Sequence, residues 1–148
     1  MELTDRQIDL MRAEAQALGL SGAELITNNS NELIRKACNG IGPSGFPAWA
    51  RRRLDRLLPH ITLPALIHDL RYWYGTGSYD DFAAANAELA FNAELVAWRG
   101  IKWWRVLRKL LVLWAGARCA NACDRFGWRA YCAAIQERRE DEDAKFMA

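Results

Sequence analysis

Residues 62–98 read TLPALIHDLRYWYGTGSYDDFAAANAELAFNAELVAW, and the reading of this stretch decides the fold. Leu63, Leu66, Ile67, Leu70 and Tyr74 recur at helical spacing, which predicts a helix over about 62–74 with those side chains toward a core. Thr62 is the expected cap, and Pro64 is tolerated in the first turn. Gly75-Thr76-Gly77 breaks the helix tightly, and Ser78 with Asp81 caps a second one reaching about Trp98, before Gly100. Its apolar stripe is Phe82, Asn86, Leu89, Ala93 and Val96, with Asn86 as the polar interruption. Two helices joined by so short a break are expected to form an antiparallel hairpin.

In that hairpin His68 lies eight residues before Thr76 and Asn86 ten after it, so the two come roughly level. A buried asparagine needs a partner. The expected one is the His68 ring, its Nδ1–H donating to the amide oxygen; the alternative is backbone or water. Tyr72 is one turn past His68 on the same face. Asp69 points about 100° away from His68 around the helix, so it is expected to serve a different partner. Read without Asn86, His68 is a core-edge histidine and Asp69 a surface charge.

Upstream, Thr4 with Gln7 forms a capping box, Leu3 staples to Ile8, and Ile8, Met11, Ala15 and Leu18 form one stripe that Gly19 stops. Ser21 with Glu24 is the expected cap of a short helix ending near Ile26, and the stretch Thr27-Asn28-Asn29-Ser30 is the expected turn and cap of a third holding Leu33, Ile34 and Ala37. Residues 38–47 hold three glycines and two prolines and cannot propagate a helix. A helix over about 48–58, basic through Arg51, Arg52, Arg53 and Arg56, follows it. No segment alternates with period two. The expected fold is all-α: a single compact helical domain over 1–148, built around the hairpin, with a Gly/Pro-rich loop at 38–47 and an acidic, fraying tail from about 137.

The whole chain of 148 residues is 51% hydrophobic and 26% charged, an ordinary globular composition. A net charge of +2 gives no strong nucleic-acid signal, and Arg51 to Arg56 read as a solvated face. Between Lys102 and Arg118 there are five basic and no acidic residues, whereas 137–143 holds five acids and two bases. The acidic tail is thus placed to neutralise part of the basic segment. Cys38, Cys119, Cys123 and Cys132 lack metal-ligand spacing and are expected to be free, buried thiols, with a bridge from Cys38 to the C-terminal region as the alternative for an exported protein. No apolar run approaches the roughly 20 residues that cross a bilayer. The opening MELTDRQIDL is too polar for a secretory signal, so an intracellular location is expected, with export by another route or association with a phage as alternatives.

Glycines let the loop Asn39-Gly40-Ile41-Gly42-Pro43 turn its carbonyls inward. Calcium takes several such oxygens plus one or two carboxylates, and Asp69 can complete that set; the alternative is a plain interhelical connection. His68-Asp69-x-x-Tyr72 preceded by a G-x-G loop resembles the phospholipase A2 superfamily. The resemblance covers about 38–92. It implies a calcium-dependent ester hydrolase acting on phospholipid, with His68 as general base, Asp69 as a calcium ligand and Tyr72 in support. Asn39, Gly40 and Gly42 fall in the calcium loop, and Asn86 stands where the family has a carboxylate that orients the histidine. The family's cysteines beside the His-Asp pair are replaced, Ala65, Leu66 and Ile67 preceding His68, and the loop lies further from the helix. The pattern also resembles small phage and prophage proteins with this hairpin, which implies the alternative of a catalytically degenerate binding or structural module.

A further helix is expected to carry Trp103, Trp104, Leu107, Leu110, Leu111 and Trp114 and to continue past Gly127 to about Arg138. Lys102, Arg105 and Lys109 fall on one stripe, and with Trp103 they suit a membrane surface or phospholipid. Core packing is the preferred reading of this helix, as it is for Trp49, Trp73, Trp98 and Trp128, with one of the adjacent pair Trp103 and Trp104 left exposed.

Overall fold

The computed structural model describes residues 3–38, 49, 53, 56 and 58–147. Among them every regular element is helical: α1 (Asp5–Leu18), α2 (Ala23–Asn28), α3 (Asn31–Ala37), α4 (Thr62–Trp73), α5 (Tyr79–Leu95), a π-helical turn (Val96–Gly100), α6 (Val106–Phe126) and α7 (Trp128–Phe146). The all-α expectation holds. The Gly/Pro-rich loop at 38–47, apart from Cys38, and nearly all of the basic helix at 48–58 lie outside the described residues.

Local chemistry sets the N-terminal ends of three helices. Thr4 and Gln7 form the reciprocal capping box of α1, Gln7 N–H donating to Thr4 Oγ1 at 3.3 Å and Thr4 N–H to Gln7 Oε1 at 2.9 Å. Gly19 ends α1 in the left-handed region at φ 60°. Ser30 accepts from Leu33 N–H at 3.2 Å and Ser78 from Asp81 N–H at 3.1 Å. Two expected caps are not used. Gly22, not Ser21, precedes α2, and α4 starts at Thr62 with Ile61 as an uncapped N-cap. Ser21 instead holds α5: its hydroxyl donates to Glu88, its N–H donates to Asn92 Oδ1 at 2.8 Å, and Asn92 Nδ2 donates back to its carbonyl at 2.9 Å.

α4 and α5 form the hairpin, with Tyr72 and Phe82 in ring contact across it at 5.8 Å. The inner faces are as expected for Leu63, Leu66, Ile67 and Leu70 and for the whole Phe82–Val96 stripe, all buried. Tyr74 is the exception: it is exposed and donates its hydroxyl to Asn29 Oδ1 at 2.6 Å. Ile8, Ile34, Ile67, Leu70, Ala93 and Val112 join α1, α3, α4, α5 and α6 in one core. Burying each Ile or Leu stabilises the fold by about 1.5–3 kcal/mol before entropy is counted. A second core of Tyr72, Phe82, Ala85, Tyr131 and Ile135 seats α7 on the hairpin, and Tyr131 Oη accepts from Gly77 N–H at 3.0 Å.

α6 packs along α5, most closely at Gly116, where an added Cβ would sit 2.3 Å from Ala93 Cβ. Gly127 separates α6 from α7 rather than continuing one helix. The acidic run 137–143 is helical, and its Asp141 accepts from Lys36 Nζ at 2.7 Å and Lys145 Nζ at 2.9 Å.

The tryptophan segment departs most from expectation. Trp103 and Trp104 precede α6 in a turn, and both are exposed. Leu107, Leu110, Leu111 and Trp114 are exposed as well, Leu107 by 85%, while Val112, Ala115, Gly116 and Ala120 form the buried face. The helix is apolar on both sides, and periodicity does not say which side meets the core. Of Trp49, Trp73, Trp98 and Trp128, Trp73 alone is buried. Lys109 leaves the expected basic stripe: it is buried, its Nζ lying 4.9 Å from the Trp98 ring centroid.

Candidate functional site

His68 and Tyr72 share the inner face of α4, one turn apart, and Asn86 faces them from α5. All three are buried. Tyr72 Oη donates to Asn86 Oδ1 at 2.7 Å, and His68 Nε2 lies 2.9 Å from the same oxygen. Asn86 Nδ2 donates to Asp124 Oδ1 on α6 at 2.7 Å. Asp124 fixes the orientation of the amide, since an ionised carboxylate accepts only and must meet the NH2 end. The oxygen therefore points to the histidine and the tyrosine. An amide oxygen also only accepts, so Nε2 must carry the proton that it donates.

The expected His68–Asn86 pairing is present, but through the other ring nitrogen. Nε2, not Nδ1, meets the amide, because the ring's far edge reaches across to α5 while Nδ1 stays near its own helix. There Nδ1 lies 3.6 Å from Asp69 Oδ1. The expectation that Asp69 serves only other partners is corrected accordingly: an offset of about 100° around the helix still leaves its carboxylate beside the ring. Nδ1 is the nitrogen whose lone pair is available for proton transfer when the ring is neutral.

Groups beside the ring favour its charged form. Burial disfavours the imidazolium, yet Asp69 and Cys123 next to the ring outweigh it and lift the pKa of His68 from 6.5 to about 10. Burial, Cys123 and Asp69 also raise the Tyr72 phenol, while its bond to Asn86 acts in the opposite sense. It stays a hydrogen-bond donor at neutral pH.

Asp124 and Cys123, on the last turns of α6, were not singled out by the sequence. A solvent-exposed aspartate on a helix carries no periodic signal, and the cysteine is one of two spaced a turn apart. All four cysteines are free, as expected, though only Cys38 is buried; Cys119 and Cys123 are half-buried and Cys132 is exposed.

Of the expected calcium ligands, Asp69 lies at the site, whereas Asn39, Gly40 and Gly42 lie outside the described residues. Cys38, the residue before that loop, packs on α4, its thiol 3.8 Å from the Leu66 carbonyl oxygen. Burial and the nearby Asp69 carboxylate raise its pKa. Among the described residues no group of three or more His, Cys, Asp or Glu side chains could hold a metal ion. Asp69 fits one position of a calcium shell of six to eight oxygens, and the remainder would have to be loop carbonyls and water.

Comparisons with family models, with curated proteins and with solved structures find no match to the chain.

Proposed function

We propose that the protein is a phospholipase A2-like, calcium-dependent ester hydrolase acting on phospholipid. One observation carries this reading: an imidazole whose Nε2 is fixed by an acceptor shared with a tyrosine hydroxyl, next to a carboxylate that follows it in sequence. The shared acceptor locks the tautomer and ring angle, leaving Nδ1 to act on water. Water attacks the ester carbonyl carbon as Nδ1 takes its proton. The C–O bond to the glycerol then breaks, and the ring returns the proton to the leaving alkoxide, giving a fatty acid and a lysophospholipid. Asp69 with carbonyls of Asn39, Gly40 and Gly42 would hold calcium, which would polarise the ester carbonyl and offset the carboxylate charge now stabilising the imidazolium.

The second reading, a degenerate binding module, is favoured by Asn86 itself. A neutral amide orients the ring but offers no charge to stabilise an imidazolium formed in the transition state. Release of fatty acid from mixed phospholipid micelles separates the two. Calcium-dependent release that falls by about 10²–10⁴ in His68→Ala, and likewise in Asp69→Asn, is the expected result. No release with calcium, or release unchanged in His68→Ala, overturns the hydrolase reading.

A further inference from the structure

The geometry points to a lipid-binding surface on the outer face of α6 and the turn before it, one that seats the protein on an anionic phospholipid bilayer. Leu107, Leu110, Leu111 and Trp114 form one exposed strip, and Trp103, exposed by 77%, extends it beyond the helix start. An exposed apolar strip of this length on a helix whose opposite face is already buried is normally covered. Here the inner face is already filled by α5, and among the described residues nothing covers the outer strip.

The charges around the strip say what that is. Lys102, Arg105, Arg108 and Arg118 are exposed, and no acidic residue occurs from 102 to 118. Arg105 and Arg108 flank a shallow depression of about 390 Å³ with Trp104, Val106 and Leu107. Glu14 shares the surroundings of His60 with those two arginines, so the rim keeps a net positive charge. Of the acids of α7, Asp141 pairs with Lys36 and Lys145, Glu142 with Arg138 at 3.7 Å, and Glu140 accepts from Gln136. Two cations stand over indoles, Lys102 5.1 Å from the centroid of Trp104 beside the strip and Arg118 5.7 Å from that of Trp114 within it. An indole with a cation beside it suits the headgroup layer, where ring and charge meet different media.

A second copy of the chain fits less well, because a two-fold contact would bring this cationic rim against itself. Among the described residues no helix is long and apolar enough to cross a membrane, so the strip lies on the bilayer rather than through it.

Adsorption needs neither His68 nor Asp69, so this inference does not rest on the hydrolase reading. The test is flotation of the full chain with vesicles of phosphatidylcholine alone or mixed with phosphatidylglycerol. Binding is expected at least tenfold stronger to the mixed vesicles, weakening with salt. Leu107→Glu with Trp114→Glu should abolish it, and joint reversal of Lys102, Arg105 and Arg108 should weaken it by about 100-fold or more, on the order of fivefold per cation removed. These side chains are exposed, so the variants should melt with the wild type. His68→Ala should float like the wild type even if all hydrolysis is lost. Failure of the wild type to bind mixed vesicles, or binding indifferent to the charge reversals, overturns the proposal. A dimer in sedimentation that Trp114→Glu splits, without vesicle binding, overturns it too and gives the strip to a second copy.

Discussion

Two polar clusters join α4 to α5 within one turn of each other, and they are built on opposite principles. Arg71 donates from Nε to Glu88 Oε2 at 2.6 Å and from Nη2 to Oε1 at 3.0 Å, while Ser21 and Asn92 close the group through backbone bonds. There a cation meets an anion in a bidentate pair. At His68, the acceptor across the interface is a neutral amide, and the compensating carboxylates stand at the edges, Asp69 beside the ring and Asp124 behind Asn86. The first arrangement fastens two helices to the α1–α2 turn. The second spends a buried acceptor on holding one ring at one angle, an arrangement useful for proton transfer and poor as a fastener.

The largest effect that would sharpen this contrast is expected from Asn86→Ala. It removes three hydrogen bonds and leaves the buried Tyr72 hydroxyl and His68 Nε2 without their acceptor, a loss of about 3–4 kcal/mol measurable by chemical denaturation. Asn86→Asp should retain both bonds to its oxygen but set a second carboxylate against Asp124. Adding Asp124→Asn should recover most of the lost stability, and a double-mutant cycle showing no coupling between the two positions would break the assignment of Asp124 as the group that orients the amide.

In the other cluster, Asn92→Ala leaves the N–H and carbonyl of Ser21 unpaired and should cost about 2 kcal/mol in the same experiment. The smallest effect is one of pH. Burial would raise the Glu88 carboxyl, but Arg71 and Ser21 together hold it below its ordinary value of 4.5. A depressed pKa contributes stability above 4.5 that is lost as pH falls through the lower, folded value. The melting temperature of the wild type should therefore decline below pH 4.5 more steeply than that of Glu88→Gln; parallel curves would show that the pair adds nothing.

The same contrast explains what could be read from sequence. Caps by Thr4, Ser30 and Ser78 were legible because their partners lie three residues away. Ser21 looked like another such cap, yet its partners Glu88 and Asn92 are 67 and 71 residues distant. Asn86 was legible as a polar break in an apolar stripe, and with equal rise on both helices its level with His68 followed. Which ring nitrogen it meets depends on side-chain rotation, and Asp124 comes from a third helix whose placement no local pattern encodes. The tryptophan helix is ambiguous in sequence for a related reason. Hydrophobicity counts apolar side chains around a helix, and both faces of α6 supply them; only the packing of α5 against Gly116 decides which is inside.

α6 runs without interruption from Val106 to Phe126, and Asp124, the group that turns the Asn86 amide, sits near its end. At 1.5 Å per residue, Trp114 and Asp124 are about 15 Å apart along a single stiff shaft. No joint separates them. Whatever plane the tryptophan side comes to rest on, the imidazole is carried at a set height and tilt above it, as a tool is by its handle.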